Sequence, residues 1–158
     1  MRCFGNKKEF AIEIGKYWED SKQHQDIRTW LDKRHLTEMD SIVYLPTYYA
    51  NVVKEIEKLE KNDFYRKYFE NISDRQAYDL IHDKDDIPFK ILCFDLTTYP
   101  AYCYLFNNGI EDRVVYSFWD PRHKPSNEID KVFGIAINRD FIIKVLTGTL
   151  NHLSTDWF

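Results

Sequence analysis

From Phe10 to Trp18 apolar residues alternate with others: Phe10, Ile12, Ile14 and Trp18 point one way, Glu13 and Tyr17 the other. A period of two is the signature of a half-buried β-strand. Ile27–Arg34 reads as a second strand, with Ile27 and Thr29 opposed to Arg28 and Trp30, and the polar run Asp20–Asp26 links the two. The period then lengthens. Leu45, Tyr48, Tyr49, Val52, Val53, Ile56 and Leu59 recur at three and four, one apolar stripe of an amphipathic helix. Pro46 suits its first turn, where no N–H is required. Lys54, Glu55, Glu57, Lys58, Glu60 and Lys61 are assigned to the opposite, solvent face, with Glu57 four before Lys61 as a weak supporting pair.

Asp63 is read as the cap of a short second helix that gathers Phe64, Tyr65, Tyr68, Phe69 and Ile72 on one side. Ser73-Asp74-Arg75-Gln76 fits a capping box and starts a third helix running to about His82. Asp83-Lys84-Asp85-Asp86 forms a turn ahead of Pro88. Beyond it the period returns to two, and Phe89–Leu96, Tyr99–Phe106 and Arg113–Trp119 read as three successive strands. Asn107-Asn108-Gly109 begins the turn between the last two, where Asn and Gly take positive φ cheaply. The two prolines of Asp120–Pro125 make that stretch a loop. Val132–Ile137 reads as a fully buried final strand. Asn138 caps a C-terminal helix that turns Phe141, Ile142, Val145, Leu146, Leu150 and Leu153 inward, with Gly148 costing it about 1 kcal/mol relative to Ala. The order ββαααββββα predicts an α+β fold, mainly antiparallel sheet with helices packed on one face, in a single domain spanning 1–158.

Composition sharpens this picture. Of 158 residues 44% are hydrophobic and 16% aromatic, with eleven Tyr, eleven Phe and four Trp, so rings dominate the expected core. A chain of this size buries roughly 70% of its unfolded surface and needs no staple. The net charge of −4 argues against direct nucleic-acid binding, whose affinity comes mostly from a basic face. Cys3, Cys93 and Cys103 form no metal-type spacing. Cys93 and Cys103 fall on adjacent expected strands, where burial as small hydrophobes outweighs a redox pair. No apolar run approaches a membrane span and no signal-like apolar segment is present, so the expectation is a cytoplasmic protein with reduced thiols.

Candidate chemistry is sparse. His82, Asp83, Asp85 and Asp86 lie close together but lack the glycine and distal glutamate of a calcium loop. His24, His35, His82, His123 and His152 are scattered over expected loops and helix surfaces, and neither a nucleophile elbow nor a phosphate-binding glycine loop occurs. Glu9 and Glu13 share a strand face, a commonplace arrangement. Tyr102, Tyr104 and Phe106 alternate on one strand, and Tyr116 and Phe118 on the next, but no row of Lys and Arg accompanies them, so core packing outweighs a base-stacking platform. Neither enzyme chemistry nor a cofactor or metal follows from these residues. What remains is surface for a partner: acidic residues at Asp79, Asp83, Asp85 and Asp86, again at Glu111 and Asp112, and at Asp120 beside Trp119. Tyr and Trp near such groups are the anchors that interfaces favour.

Gly5-Asn6-Lys7-Lys8-Glu9-Phe10-Ala11-Ile12-Glu13, followed by a Trp30-bearing strand and the long helix from Leu45, resembles a family of bacterial immunity proteins of polymorphic toxin and contact-dependent growth-inhibition systems. The resemblance covers about the first third of the chain. It implies a non-catalytic protein that binds the C-terminal toxin domain made by the same cell. Many such toxins are nucleases with basic active sites, including ones that cut transfer RNA. An acidic inhibitor would occupy that site or exclude its substrate. The resemblance thus offers Asp79, Asp83, Asp85, Asp86, Glu111, Asp112, Trp119 and Asp120 a toxin to bind. A small-ligand-binding or enzymatic α+β domain, marked by a pocket lined by His82 or His123 with a nearby carboxylate, is the competing class. An adaptor with an exposed sheet edge is the third.

Overall fold

A computed structural model describes residues 1–84, 87–95 and 100–157. Among these residues the fold is α+β, with two antiparallel sheets and three α-helices. The first sheet runs β1 (Arg2–Asn6), β2 (Phe10–Tyr17), β3 (His24–Leu31) and β4 (Arg34–His35), and β5 (Ile42–Tyr44) pairs with the other end of β3. The second runs β6 (Lys90–Ile91), β7 (Ala101–Asn107), β8 (Asp112–Phe118) and β9 (Val132–Ala136). Helix α1 (Leu45–Lys61) packs on α3 (Arg139–Trp157), which also covers β1 and β2, while α2 (Asp74–Asp83) lies on β7, β8 and β9.

Strand β1 was not legible in the pattern, because only Phe4 among its side chains is even half-buried. Its place depends on Gly5, whose φ of +91° sets the backbone so close to Phe10 that a Cβ would come within 2.3 Å of the Phe10 carbonyl oxygen. The second strand occupies 24–31 instead of 27–34. Asp32 and Lys33, both at positive φ, turn the chain so that Arg34 and His35 pair back against Leu31 and Trp30. Nor is β2 half-buried: Phe10 through Ile14 are all buried, because Lys7 and Trp30 cover the Glu13 face.

Helix α1 forms as its stripe requires, with Pro46 in the first turn. Glu55, assigned to the solvent face, is instead buried. It accepts the Leu92 N–H at 2.8 Å and pairs with Lys58 at 2.9 Å. Leu92 has a φ of +63° and turns out of the sheet, so the expected strand 89–96 shrinks to Lys90–Ile91. Leu96 and Tyr99 lie outside the described residues. The helix expected after Asp63 is absent apart from a 3₁₀ turn at Lys67–Phe69. Phe64 spends its carbonyl on Asn107 N–H, extending the second sheet, while Phe64 and Phe69 insert their rings beside Phe89 and Phe106. The Ser73 capping box forms as expected, Ser73 Oγ accepting the Gln76 N–H and Gln76 Oε1 the Ser73 N–H. Strand β9 is only half-buried, because it is a sheet edge with α2 over one face.

Candidate functional site

Helix α2 runs alongside β8. Its first residue, Asp74, takes a two-bonded fork from Arg113 at the start of β8, Nε and Nη2 each 2.8 Å from a carboxylate oxygen. Gly134 on β9 makes room, since a Cβ there would stand 2.1 Å from Asp74 Oδ2. At the other end of α2, His82 accepts or donates a 2.7 Å bond with the Tyr104 hydroxyl and stacks on Tyr78. Tyr102 lies next to His82 at 5.1 Å between ring centroids and stacks on Trp119 at 6.0 Å. Tyr78, His82, Tyr102 and Trp119 therefore form one row of rings leading to the indole of Trp119, which is 46% exposed. Asp79 and Asp83, next in sequence to Tyr78 and His82 of this row, line a groove of about 390 Å³ together with Ile72, Gln76, Leu80 and Lys84.

The fold divides the sequence-predicted residues. Asp79 and Asp83 line one groove on α2, and Trp119 is linked to the same helix through Tyr102 and His82. Asp79 is paired with Arg75 at 3.2 Å, whereas Asp83 is exposed with no partner among the described residues. Asp85 and Asp86 lie outside the described residues. Glu111 and Asp112 sit at the opposite end of β8, roughly 20 Å away by strand rise. Asp112 is occupied internally by Asn107 and by the first N–H of α3, and Glu111 pairs with Arg113 at 3.0 Å. Asp120 is buried. Arg122 closes over it with Nε at 3.0 Å and Nη2 at 2.7 Å, and these bonds hold the carboxyl down at about 2. The same carboxylate also accepts the Arg122 N–H at 2.9 Å.

A second polar constellation lies between the sheets, where Arg34 of β4 meets the loop after β8. Arg34 donates from Nε to Glu128 at 3.1 Å and from Nη1 to Asp32 and the Tyr116 hydroxyl at 3.0 and 3.2 Å, with its guanidinium 3.8 Å above the Phe133 ring. The other Glu128 oxygen meets His123 Nε2 at 2.9 Å, and His123 stacks face to face on Phe118 at 3.6 Å. Burial pushes the Glu128 carboxyl up, but His123 and Arg34 together hold it below its ordinary value. Beside this clasp Trp30 stacks on His35 at 4.6 Å, takes Lys7 over its ring and donates to Glu13. Burial, reinforced by Arg28, lowers His35 to about 4, so its ring is neutral at pH 7. Trp30, Lys33, Arg34, His35, Glu38, His123, Lys124, Pro125 and Glu128 line a cleft of about 300 Å³.

Sequence reasoning did not find this cleft. Its halves are some ninety residues apart, and His24, His35 and His123 were assigned to loops and surfaces. In the structure His24 and His35 are on strands and His123 is buried. Glu9 and Glu13 do not form a pair, since Glu13 turns inward to Lys7 and Trp30. The aromatics on β7 and β8 are core, with Tyr104, Phe106, Tyr116 and Phe118 buried. Cys103 is buried, Cys93 half-buried, and neither is in a disulfide. Among the described residues no group of three or more His, Cys, Asp or Glu could hold a metal ion, and no helix is long and apolar enough to cross a membrane.

No protein-family model matches the chain, and no curated protein matches it in sequence. Among solved structures the fold is similar to that of a CdiI from Burkholderia dolosa AUO158, with a TM-score of 0.70. The match covers 96% of this chain and 99% of that one, at 15% identity.

Proposed function

We propose that the chain is an immunity protein of a contact-dependent growth-inhibition system, a non-catalytic inhibitor that binds a cognate toxin domain in the cytoplasm of the producing cell. The carrying observation is the near full-length agreement in fold with a CdiI. The resemblance at Gly5–Glu13 points to the same kind of protein from sequence, by a route independent of the fold.

The docking surface we favour is the end of α2 that carries Asp79 and Asp83 beside the ring row ending at Trp119. An exposed indole backed by a stacked tyrosine is rigid, so little side-chain freedom is lost when a partner covers it. Carboxylates around such an anchor steer a basic partner, and complementary charge raises association toward 10⁸–10⁹ M⁻¹s⁻¹ at low salt. A nuclease, whose active site is basic because it holds phosphate, is the target this surface suits. Occluding that site or the path to it is inhibition enough. Glu111 and Asp112 lie too far along β8 to share one small epitope with Trp119, and Asp120 is spent on Arg122.

The test is co-expression of this chain with the toxin domain encoded beside it. Growth rescue and a stoichiometric complex are expected, and a toxin that still kills without forming a complex refutes the proposal. Reversing Asp79 and Asp83 to Lys together should slow association and flatten its salt dependence. Unchanged kinetics would place the interface on another face.

A further inference from the structure

The cleft between β4 and the 120–128 loop contains chemistry that an inhibitor working through α2 and Trp119 does not use. Arg34 is fixed in place by Glu128, Asp32 and the Tyr116 hydroxyl, through Nε and Nη1. Its Nη2 donates to none of the described residues, although Arg34 lines the cleft and is partly exposed. Lys33 lines the same cleft from the turn before β4, and Lys124 from the facing loop. Both are exposed, and neither has a side-chain partner among the described residues. Three cationic groups from two chain segments thus border one space, and the carboxylates of Glu38 and Glu128 in the same lining leave one positive charge in excess. With Glu128 and Asp32 engaged on Nε and Nη1, the donors left for an anion are Arg34 Nη2 and the two ammonium groups.

We infer that this cleft is a binding site for a small phosphomonoester, with Lys33, Lys124 and the open edge of Arg34 holding the phosphate. The choice of phosphate over carboxylate follows from the donors. Arg34 offers the two N–H groups of Nη2 and each lysine an ammonium, which together match three terminal oxygens better than two. The carboxylates that hold Arg34 act as its positioning residues, keeping the guanidinium from folding onto the surface when the site is empty. At about 300 Å³ the cleft exceeds a phosphate ion and stands at the small end of organic ligand sites. Glu38 lies on its wall, so the organic body is one that offers a hydroxyl or amine donor to a carboxylate. The inference is independent of the toxin reading and survives its failure.

The experiment is NMR titration of the full chain with inorganic phosphate, glycerol 3-phosphate and citrate, reading the Trp30 indole N–H and the His123 ring. The K33A/K124A variant is compared with K16A/K22A, which removes the same charge from exposed positions elsewhere. We expect saturable shifts with glycerol 3-phosphate, weakened about tenfold or more in K33A/K124A and unaltered in K16A/K22A. Tighter binding of the ester than of inorganic phosphate supports the assignment, and equal affinity overturns the phosphomonoester in favour of the free ion. Citrate binding above both phosphates, equal weakening in the two double variants, or no saturation with either phosphate overturns the inference.

Discussion

The fork between Arg113 and Asp74 sets where α2 lies on the second sheet, and therefore where Asp79, Asp83 and the ring row sit. Two charge-assisted bonds of 2.8 Å in a bidentate geometry are the strong kind, each worth up to about 1.5–3 kcal/mol when fully enclosed. Here the side chains keep 23% and 31% of their exposure, so part of their hydration survives and the pair belongs between that range and the roughly 0.2–1 kcal/mol of open surface pairs. A coupling near 1.5 kcal/mol is the resulting expectation. The single variants lose more than the coupling. Asp74→Ala also removes a carboxylate from the first turn of α2, worth about 0.3–1 kcal/mol, and Arg113→Ala also frees Glu111. Each single substitution should therefore cost about 2 kcal/mol, lowering Tm by roughly 4–8 °C in a chain of this length. Arg113→Lys should recover less than half, because an ammonium cannot make the fork. Gly134→Ala supplies an internal check. Its Cβ would stand 2.1 Å from Asp74 Oδ2, so the carboxylate must swing away and the fork must open. Combined with Asp74→Ala that penalty should largely vanish. Urea unfolding of the double-mutant cycle measures the coupling directly. A value below about 0.5 kcal/mol, or a Gly134→Ala cost that is additive with Asp74→Ala, refutes the argument.

Three further expectations follow from the same structure. Gly5→Ala should destabilise by at least about 2 kcal/mol, since φ is +91° and the new methyl would meet the Phe10 carbonyl; an unchanged urea midpoint would contradict that geometry. Trp119→Ala should leave the free protein within about 1 kcal/mol of wild type yet weaken toxin binding by about 2 kcal/mol or more, read by calorimetry on both states, and a mere loss of fold in circular dichroism would count against the anchor role. Acid should destabilise the chain. Glu13, Asp120 and Glu128 all have carboxyls held below their ordinary values, so their contribution is full above about pH 4.5 and disappears as pH falls through their folded values, toward about 2 for Asp120. Glu55 acts oppositely. Burial outweighs Lys58 and the Leu92 N–H and raises its carboxyl, so its contribution is full below 4.5 and falls as pH rises through its raised value. Removing it with Glu55→Gln should make the pH–Tm curve steeper on the acid side, and a curve parallel to wild type would refute the assignment.

Local chemistry was legible wherever a segment's partners lie within its own few turns. The α1 stripe repeats every three or four residues, the Ser73 capping box, the Asn107–Gly109 turn and the Asn138 cap are satisfied by neighbours two or three residues away, and each forms where the pattern placed it. The two-sheet arrangement decided the rest. The stretch from Phe64 to Ile72 has helical spacing, but the Phe64 carbonyl is claimed by the Asn107 N–H at the end of β7 and a 3₁₀ turn wins. Glu55 has the spacing of a solvated face, but a backbone N–H thirty-seven residues away needs an acceptor and pulls it inside. The candidate site divides in the same way. Its acidic and aromatic residue types were visible one by one, yet the strand length of β8 separated Glu111 and Asp112 from Trp119, and Arg122 took Asp120 out of use. The cleft of Arg34, Lys33 and Lys124 left no mark in the pattern, because periodicity reports which face a residue takes within its own element and carries no information about which distant element comes to lie opposite.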